Sequence, residues 1–286
     1  MTLTGIILTR IGFSVWKGDS GRIGSLIKSL IESGMDHAEV SVDTPLDIEL
    51  EALKPILESI RDSGISLGIH LPWRELPIAS PIEEVRSAST TVMMRIIDKL
   101  SRYDPAYFVL HGSSEQALCS EQEDLCIGYL KRSLEELLRV SDRIALETIQ
   151  GSCCGKIGQI VKILEDLPQL RICVDLAHIA AENLIRSKGR WPSTVSEALS
   201  EVVESVWRRS IVIHLHGLKD KDRRPRTHYD FSQTPLGAED IARAVKIWGI
   251  EYVVFEVFYR SSGGSPEPRD LSDEVRRMRN WISLLS

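Results

Sequence analysis

Short apolar runs alternate along the chain with longer amphipathic stretches. The runs are rich in β-branched residues, as expected for buried strands. They lie near Ile6 and Val40 and end at His70, His111, Glu147, Asp175, His216 and Glu256. Between the runs, apolar residues recur at helical spacing, as at Leu130, Leu134 and Leu137. The pattern predicts a regular alternation of strand and helix.

The spacing of these run ends indicates the size of the repeated unit. Successive ends at positions 70, 111, 147, 175, 214 and 256 are separated by 28 to 42 residues, which is enough for one strand and one covering helix. Apolar strands that helices cover indicate a parallel sheet buried on both faces, and eight of them close most naturally into a (β/α)₈ barrel. An open doubly wound sheet is the alternative. No linker or low-complexity segment interrupts the pattern, so we expect a single domain over residues 1–286.

Two segments depart from the repeat. The longest interval between strands runs from Ile179 to Ser210, and Gly189 and Pro192 in its middle predict two helices. The segment from Lys219 to Arg226 reads KDKDRRPR, which is typical of a solvated, mobile loop, with a phosphate-binding loop as the alternative.

Composition and charge narrow the class of protein. The chain is 43% hydrophobic and 27% charged, as in globular proteins, and 35 basic against 41 acidic residues give a net charge of −6. This charge disfavours binding to bulk nucleic acid. Five loosely spaced cysteines argue against a disulfide framework and favour a reducing compartment. The first residues, MTLTGIILTR, resemble neither a signal peptide nor a membrane anchor, so we expect a cytoplasmic protein that does not bind membranes.

Ionisable residues end most of the apolar runs. Six of the seven histidines fall at or just after predicted strand ends, with His178 three residues after Asp175. In a barrel of this kind the carboxyl ends of the strands form the catalytic face. A lone histidine there would usually be structural, but a buried polar cluster of this size is costly without a metal or a ligand. Imidazole mixed with carboxylate favours a divalent transition metal, with zinc expected and manganese or iron as alternatives.

Other residues could contact a substrate. His214 and His216 lie two apart on one strand and therefore share a face, so one of them is free to bind substrate or transfer protons. Trp73 and Arg74 could stack on a ring and pair with an anion. His228 lies in the loop after the seventh strand and is a candidate ligand. The adjacent pair Cys153 and Cys154 lacks the spacing of a zinc site, and we interpret it as structural.

The motifs resemble those of the xylose-isomerase-like barrel superfamily, and within it the apurinic endonuclease family 2 branch that includes endonuclease IV. The resemblance rests on RICVDLAH, LETIQG, HGSS and HLHG, and extends from about Ile65 to Phe258. Residue by residue, it implies a metal-ligand set of His70, His111, Glu147, Asp175, His178, His214, His228 and Glu256.

This chain departs from the endonuclease pattern at two places, and both departures argue against DNA repair as its activity. The endonucleases carry Asp two residues before the loop histidine, where this chain has Arg226 before His228. HLHG also replaces an acidic sequence at strand seven. The strings GIHLP, IHLHG and FEVF are similar to those of cobamide-remodelling phosphodiesterases of the same superfamily, which implies hydrolysis in the nucleotide loop of a corrinoid.

These observations predict a metal-dependent phosphodiesterase that acts on a small phosphorylated or corrinoid substrate. Two ions would share Glu147, and the catalytic residues would be Glu147 and His216, with Arg226 and Arg74 binding substrate. The alternative is a sugar isomerase or epimerase with one metal, which would leave His70 and His111 without a role. A non-enzymatic metal-binding or corrinoid-binding scaffold is a third possibility. The oligomeric state stays open.

Overall fold

Eight parallel strands close into a barrel in the computed structural model, which describes residues 8–49, 51–112, 121–187, 190–221 and 224–285. The barrel strands are β1 (Arg10–Val15), β2 (His37–Ser41), β3 (Ser66–His70), β4 (Phe108–His111), β5 (Ile144–Glu147), β6 (Arg171–Asp175), β7 (Ser210–Leu215) and β10 (Tyr252–Phe255). Each pairs with its neighbours in the order β1-β10-β7-β6-β5-β4-β3-β2, and β1 pairs with β2 to close the ring. The predicted (β/α)₈ barrel is therefore confirmed, and the open sheet is excluded.

Helices cover the outside of the barrel. They are α1 (Ile23–Glu32), α2 (Pro45–Glu49), α3 (Lys54–Ser63), α4 (Glu83–Ser101), α5 (Glu123–Leu138), α6 (Ile157–Asp166), α7 (Leu176–Ser187), α8 (Glu204–Trp207), α9 (Ala238–Trp248) and α10 (Ser272–Leu284). Their apolar faces pack on the strands; α1, for example, buries Leu26, Ile27 and Leu30. Gly64 ends α3 and Gly249 ends α9, both with positive φ angles of 75° and 68° that favour glycine.

The first strand and the interval before β7 differ from the sequence predictions. The run GIIL near Ile6 extends into residues 1–7, which lie outside the described residues, and the first barrel strand is β1 instead. The interval from Ile179 to Ser210 contains the end of α7, a 3₁₀ helix at Val195–Glu201 and the short α8, rather than two helices. Gly189 also lies outside the described residues.

The basic segment after β7 is not an irregular loop. It forms an antiparallel hairpin of β8 (Gly217–Lys221) and β9 (Arg224–Tyr229), in which Lys219 pairs with Arg226. The prediction of a loop was wrong because the described residues between Lys219 and Arg226 are exposed or half-buried, so this part of the hairpin lacks the apolar alternation that marks a strand. His228 is consequently held on a strand.

A disulfide joins α5 to the segment after β5. Cys126 and Cys153 are bonded with their Cα atoms 5.8 Å apart, while Cys154 and Cys173 are free and buried. The sequence argument against disulfides was therefore wrong for this pair, since spacing along the chain does not show which helix packs on which loop. Burial raises the pKa of the Cys154 thiol to about 11.

Barrel closure brings the polar strand ends to one face. His111 pairs in register with Glu147, and Asp175 pairs with His214. These side chains therefore lie side by side at the carboxyl ends of neighbouring strands. Among the described residues, no helix has both the length and the apolar character needed to span a bilayer.

Candidate metal centre

Ligand-type atoms converge in three groups at this face, and within each group they lie within 4.8 Å of one another. The first group is His70, His111 and Glu147; the second is Glu147, Asp175, His214 and Glu256; the third is His178, His216 and His228. All eight residues that the resemblance implied as ligands are thus brought together, and His216 joins them.

The first group surrounds one oxygen of Glu147. Oε2 lies 2.8 Å from Nε2 of His111 and 3.2 Å from Nε2 of His70, and the two imidazole nitrogens are 3.0 Å apart. Nδ1 of His70 lies 3.0 Å from the carbonyl oxygen of Leu71 and donates to it. Nε2 of a neutral His70 therefore carries a lone pair directed at the group.

The second group surrounds the other oxygen of the same carboxylate. Oε1 of Glu147 lies 3.4 Å from Nδ1 of His214, which is also 3.3 Å from Oε2 of Glu256. Neither Glu147 Oε1 nor His214 Nδ1 has a hydrogen-bond partner among the described residues, although both are buried. Glu147 therefore joins the first two groups, one oxygen facing each.

Histidine alone makes up the third group. The ring centroids of His216 and His228 are 4.2 Å apart, and that of His178 lies 5.0 Å and 5.1 Å from them. Nε2 of His216 lies 3.0 Å from Oδ2 of Asp175, and the backbone N–H of His178 donates to the other Asp175 oxygen at 2.7 Å. The resemblance implied His178 and His228 as ligands, and the sequence predicted a catalytic role for His216, which is fully buried behind Asp175.

The endonuclease pattern has a carboxylate where this chain has Arg226. Asp230 lies nearby in sequence but does not take the place of that carboxylate in the third group. One Asp230 oxygen accepts from the Ser261 amide at 2.7 Å, and the other accepts from the Ser261 and Ser232 hydroxyls at 2.8 Å and 2.6 Å. Both oxygens therefore fasten the hairpin to the segment after β10. The third group has no carboxylate among its own members.

The buried histidines and carboxylates at this face shift one another's pKa values. Burial alone would raise the pKa of Glu147, but His111 and His214 hold it well below its usual value, and His214 likewise lowers that of Glu256. Burial would lower the pKa of His70, yet the hydrogen bond and charge of Glu147 raise it to about 9. The pKa of His178 and that of His228 are lowered by burial. The carboxylates are therefore ionised at neutral pH, and His178 and His228 are neutral.

This donor set fits a divalent transition metal. Three ionised carboxylates, those of Glu147, Asp175 and Glu256, are buried together, and such charges are costly unless cations accompany them. Glu147 Oε1 and His214 Nδ1 are buried 3.4 Å apart, and neither atom has a hydrogen-bond partner among the described residues. The mixture of imidazole and carboxylate suits zinc, manganese or iron better than calcium or magnesium.

A cavity of about 620 Å³ opens above the three groups. Trp73 lines it with its ring centroid 6.1 Å from that of His111, and the Arg74 guanidinium carbon lies 4.4 Å above the Trp73 ring. Arg226 is exposed on β9 and does not line the cavity, whereas its neighbours Thr227 and His228 do. Of the two arginines proposed to bind substrate, only Arg74 lies at the cavity wall.

Sequence reasoning missed polar residues on the first two strands and just after them. Ser14 and Asp43 line the cavity, and each has a buried side-chain oxygen without a hydrogen-bond partner among the described residues. Glu39 is fully buried in the middle of β2 and contacts His214. The only signal in the sequence was an acidic residue within the apolar run AEVSV.

Comparison with known proteins agrees with this architecture. Residues 27–281 match the family described as xylose isomerase-like TIM barrel. The chain belongs to this family. The matched range contains every residue of the three groups, so the candidate metal centre lies within the part of the chain that matches the family.

Solved structures similar to this xylose isomerase-like barrel have different activities in their names. A D-tagatose 3-epimerase-like protein is 16% identical, with a TM-score of 0.73 over 97% of this chain and 100% of its own. Endonuclease IV from Thermus thermophilus is also 16% identical, with a TM-score of 0.61 over 96% and 99%. A further protein from the same organism, soaked with ZnCl2, is 19% identical, with a TM-score of 0.66 over 95% and 98%. At these identities the likeness shows the fold.

Proposed function

We propose that this protein is a metal-dependent hydrolase of phosphodiesters. The observation that supports the proposal is the position of Glu147, whose two oxygens face two separate ligand groups. A single-metal isomerase would need only the group of Glu147, Asp175, His214 and Glu256. His70 and His111 then have no role, whereas a two-ion hydrolase uses both.

Each group of residues has a distinct part in this proposal. His70, His111 and Glu147 hold one ion, and Glu147, Asp175, His214 and Glu256 hold the other. When bound, two such ions supply an activated water and neutralise charge on the phosphoryl oxygens. His178 and His228 are neutral and line the cavity, so they can orient a phosphate oxygen by hydrogen bonding. Arg74 pairs with a second anionic group of the substrate.

The cavity indicates the kind of substrate. Its volume of about 620 Å³ suits a small molecule. Trp73 offers a face for a planar ring. Ser14 and Asp43 each have an oxygen without a hydrogen-bond partner in the described part of the chain, and these oxygens offer acceptors for substrate hydroxyl groups. These features suit a nucleotide-like phosphodiester, and the nucleotide loop of a cobamide is the narrower candidate.

A sugar isomerase or epimerase is the second candidate. It is favoured by Glu147 and Glu256, whose carboxylates lie on either side of His214 Nδ1 at 3.4 Å and 3.3 Å. Two carboxylates beside one metal could move protons at the two faces of a sugar carbon. This reaction uses the second group alone.

Activity assays of the zinc-loaded protein distinguish the phosphodiester hydrolase from the sugar isomerase or epimerase. The substrates are bis-p-nitrophenyl phosphate, a cobamide, abasic DNA and a ketohexose, each tested before and after removal of metal with a chelator. We expect hydrolysis of the small phosphodiesters that chelation abolishes and zinc restores. Epimerisation of the ketohexose without hydrolysis of any phosphodiester would overturn the proposal in favour of the isomerase.

A further inference from the structure

A chain of hydrogen bonds runs through the barrel interior beneath the metal centre. Nε2 of His214 lies 3.1 Å from Oε2 of Glu39, and the hydroxyl of Tyr107 donates to the same oxygen at 2.9 Å. Nε2 of His37 lies 2.8 Å from the Tyr107 hydroxyl oxygen. All four residues are fully buried. His37, Glu39 and Tyr107 belong to none of the three ligand groups, and among the described residues the hydrogen bonds of this chain reach the metal centre through His214.

The positions of the protons follow from the donors and acceptors. Burial lowers the pKa of His37 to about 3, so this ring is neutral, and its Nε2–H donates to Tyr107. Tyr107 in turn donates its only proton to Glu39. The Glu39 oxygen that accepts the Tyr107 proton also lies 3.1 Å from Nε2 of His214, so with this oxygen as the acceptor the shared proton resides on Nε2 of His214. Glu39 therefore accepts both the hydrogen bond from Tyr107 and the hydrogen bond from His214.

This proton position determines which nitrogen of His214 can bind a metal. A neutral imidazole has one N–H and one lone pair. With the proton on Nε2, the lone pair is on Nδ1, which lies 3.3 Å from Glu256 Oε2 and 3.4 Å from Glu147 Oε1. Nδ1 has no hydrogen-bond partner among the described residues. Nδ1, the nitrogen of His214 that does not contact Glu39, is therefore the nitrogen that faces the second ligand group.

The barrel interior is shaped to accommodate the chain. Gly12 pairs in register with His37, and Gly68 pairs with Glu39. A β-carbon at Gly12 would lie 2.6 Å from a ring carbon of His37, and one at Gly68 would lie 2.5 Å from the ring of Tyr107. Glycine at these two barrel positions therefore leaves the space that the rings of His37 and Tyr107 occupy. Replacing this polar layer with aliphatic side chains would fill the same space without burying a carboxylate.

We propose that Glu39 is a positioning residue that fixes the tautomer and orientation of His214 for metal binding. A buried carboxylate that accepts two hydrogen bonds is costly to desolvate, and holding a histidine ligand is a known use of such a group. The inference rests on the metal centre of the proposed function but not on the reaction catalysed there. Removal of a partner of this kind typically weakens metal binding by about 10- to 100-fold.

Zinc affinity measures this effect without any assay of activity. Metal-free full-length protein is titrated with zinc against a chromophoric chelator, for the wild type and for Glu39→Gln, which keeps the shape of the side chain but replaces one carboxylate oxygen with an amide NH₂. Cys173→Ala is the matched control, because the Cys173 side chain also lies beside His214 and is fully buried on a neighbouring strand. Tyr107→Phe removes one donor to Glu39 and leaves the bond to His214.

We expect zinc binding at the His214 site to weaken about 10- to 100-fold in Glu39→Gln, and much less in Cys173→Ala or Tyr107→Phe. A folded Glu39→Gln variant with wild-type affinity would overturn the inference, as would an equal loss in Cys173→Ala. If the wild type binds no zinc, the metal centre itself is refuted together with the inference. If Glu39→Gln does not fold, two-bond ¹H–¹⁵N spectra of the zinc-loaded wild type decide, since a proton on Nδ1 of His214 contradicts the inference.

Discussion

The backbone N–H of His228 donates a hydrogen bond to Nδ1 of His216 over 3.0 Å. The same nitrogen lies 3.3 Å from the carbonyl oxygen of Gly217, and Nε2 lies 3.0 Å from Oδ2 of Asp175. Burial alone would lower the pKa of His216, but the charge of Asp175 raises it. His228 adopts a φ of 62°, in the left-handed region, at this position. Both nitrogens of His216 are thereby engaged, which leaves His178 and His228 as the available ligands of the third group.

We therefore predict two tightly bound metal ions per chain. The third group lacks a carboxylate, and one of its three histidines is occupied at both nitrogens, so an ion there should be lost on dialysis. Elemental analysis after dialysis measures the stoichiometry. A weaker third equivalent should appear at higher zinc concentration and disappear in His228→Ala. Three equivalents retained after dialysis would contradict the prediction.

His70→Ala should abolish hydrolysis of phosphodiesters and reduce the retained metal from two equivalents to one. His70 contributes to the first group alone, so the second group should keep its ion. Circular dichroism and thermal unfolding of the variant serve as the folding control. Epimerase activity that survives this substitution would instead favour the one-metal reaction, because that reaction does not use His70.

Zinc affinity should rise with pH between about 7 and 9. Glu147 raises the pKa of His70 to about 9 in the metal-free protein, so below this pH a proton occupies the nitrogen that must bind the ion. Binding to the first group then displaces this proton, and the affinity gains up to about tenfold per pH unit until His70 is neutral. Calorimetry in buffers of different ionisation enthalpy measures the released proton. Affinity that does not change over this range would show that His70 is not a ligand.

Arg74→Ala should raise the KM for an anionic substrate with little change in kcat. The side chain lies over Trp73 at the cavity wall and is not part of any ligand group, so it contributes to binding rather than to the reacting centre. Steady-state kinetics on bis-p-nitrophenyl phosphate measures both constants. Arg226→Ala is the matched control, since Arg226 is exposed outside the cavity lining and should behave as wild type. A larger effect of Arg226→Ala than of Arg74→Ala would restore the sequence-based role of Arg226.

Reduction of the disulfide should lower stability. The bond between Cys126 and Cys153 closes a segment with a sequence separation of 27, and cross-links of this span contribute about 3 kcal/mol. Thermal unfolding with and without a reductant measures the loss. The shift should be absent in Cys126→Ser, whose unfolding temperature should match that of the reduced wild type. An unchanged temperature on complete reduction would contradict the expectation.

The sequence by itself determined the barrel and the residue types of its catalytic face. Apolar runs that end in histidine or carboxylate specify both features, since parallel strands in a closed barrel bring their carboxyl ends to one face. His70, His111, Glu147, Asp175 and Glu256 were therefore identifiable from their positions at run ends. These properties depend on local pattern and strand direction, which the sequence contains.

Tertiary structure alone decided how those residues are connected. Glu147 faces different groups with its two oxygens, His216 lies behind Asp175, and Glu39 reaches His214 across the barrel from 175 residues away in sequence. The hairpin of β8 and β9 and the disulfide of Cys126 and Cys153 are likewise products of packing. Such contacts depend on strand register, barrel closure and side-chain direction, and a small displacement changes a hydrogen-bond partner. No spacing along the chain encodes distances of that precision.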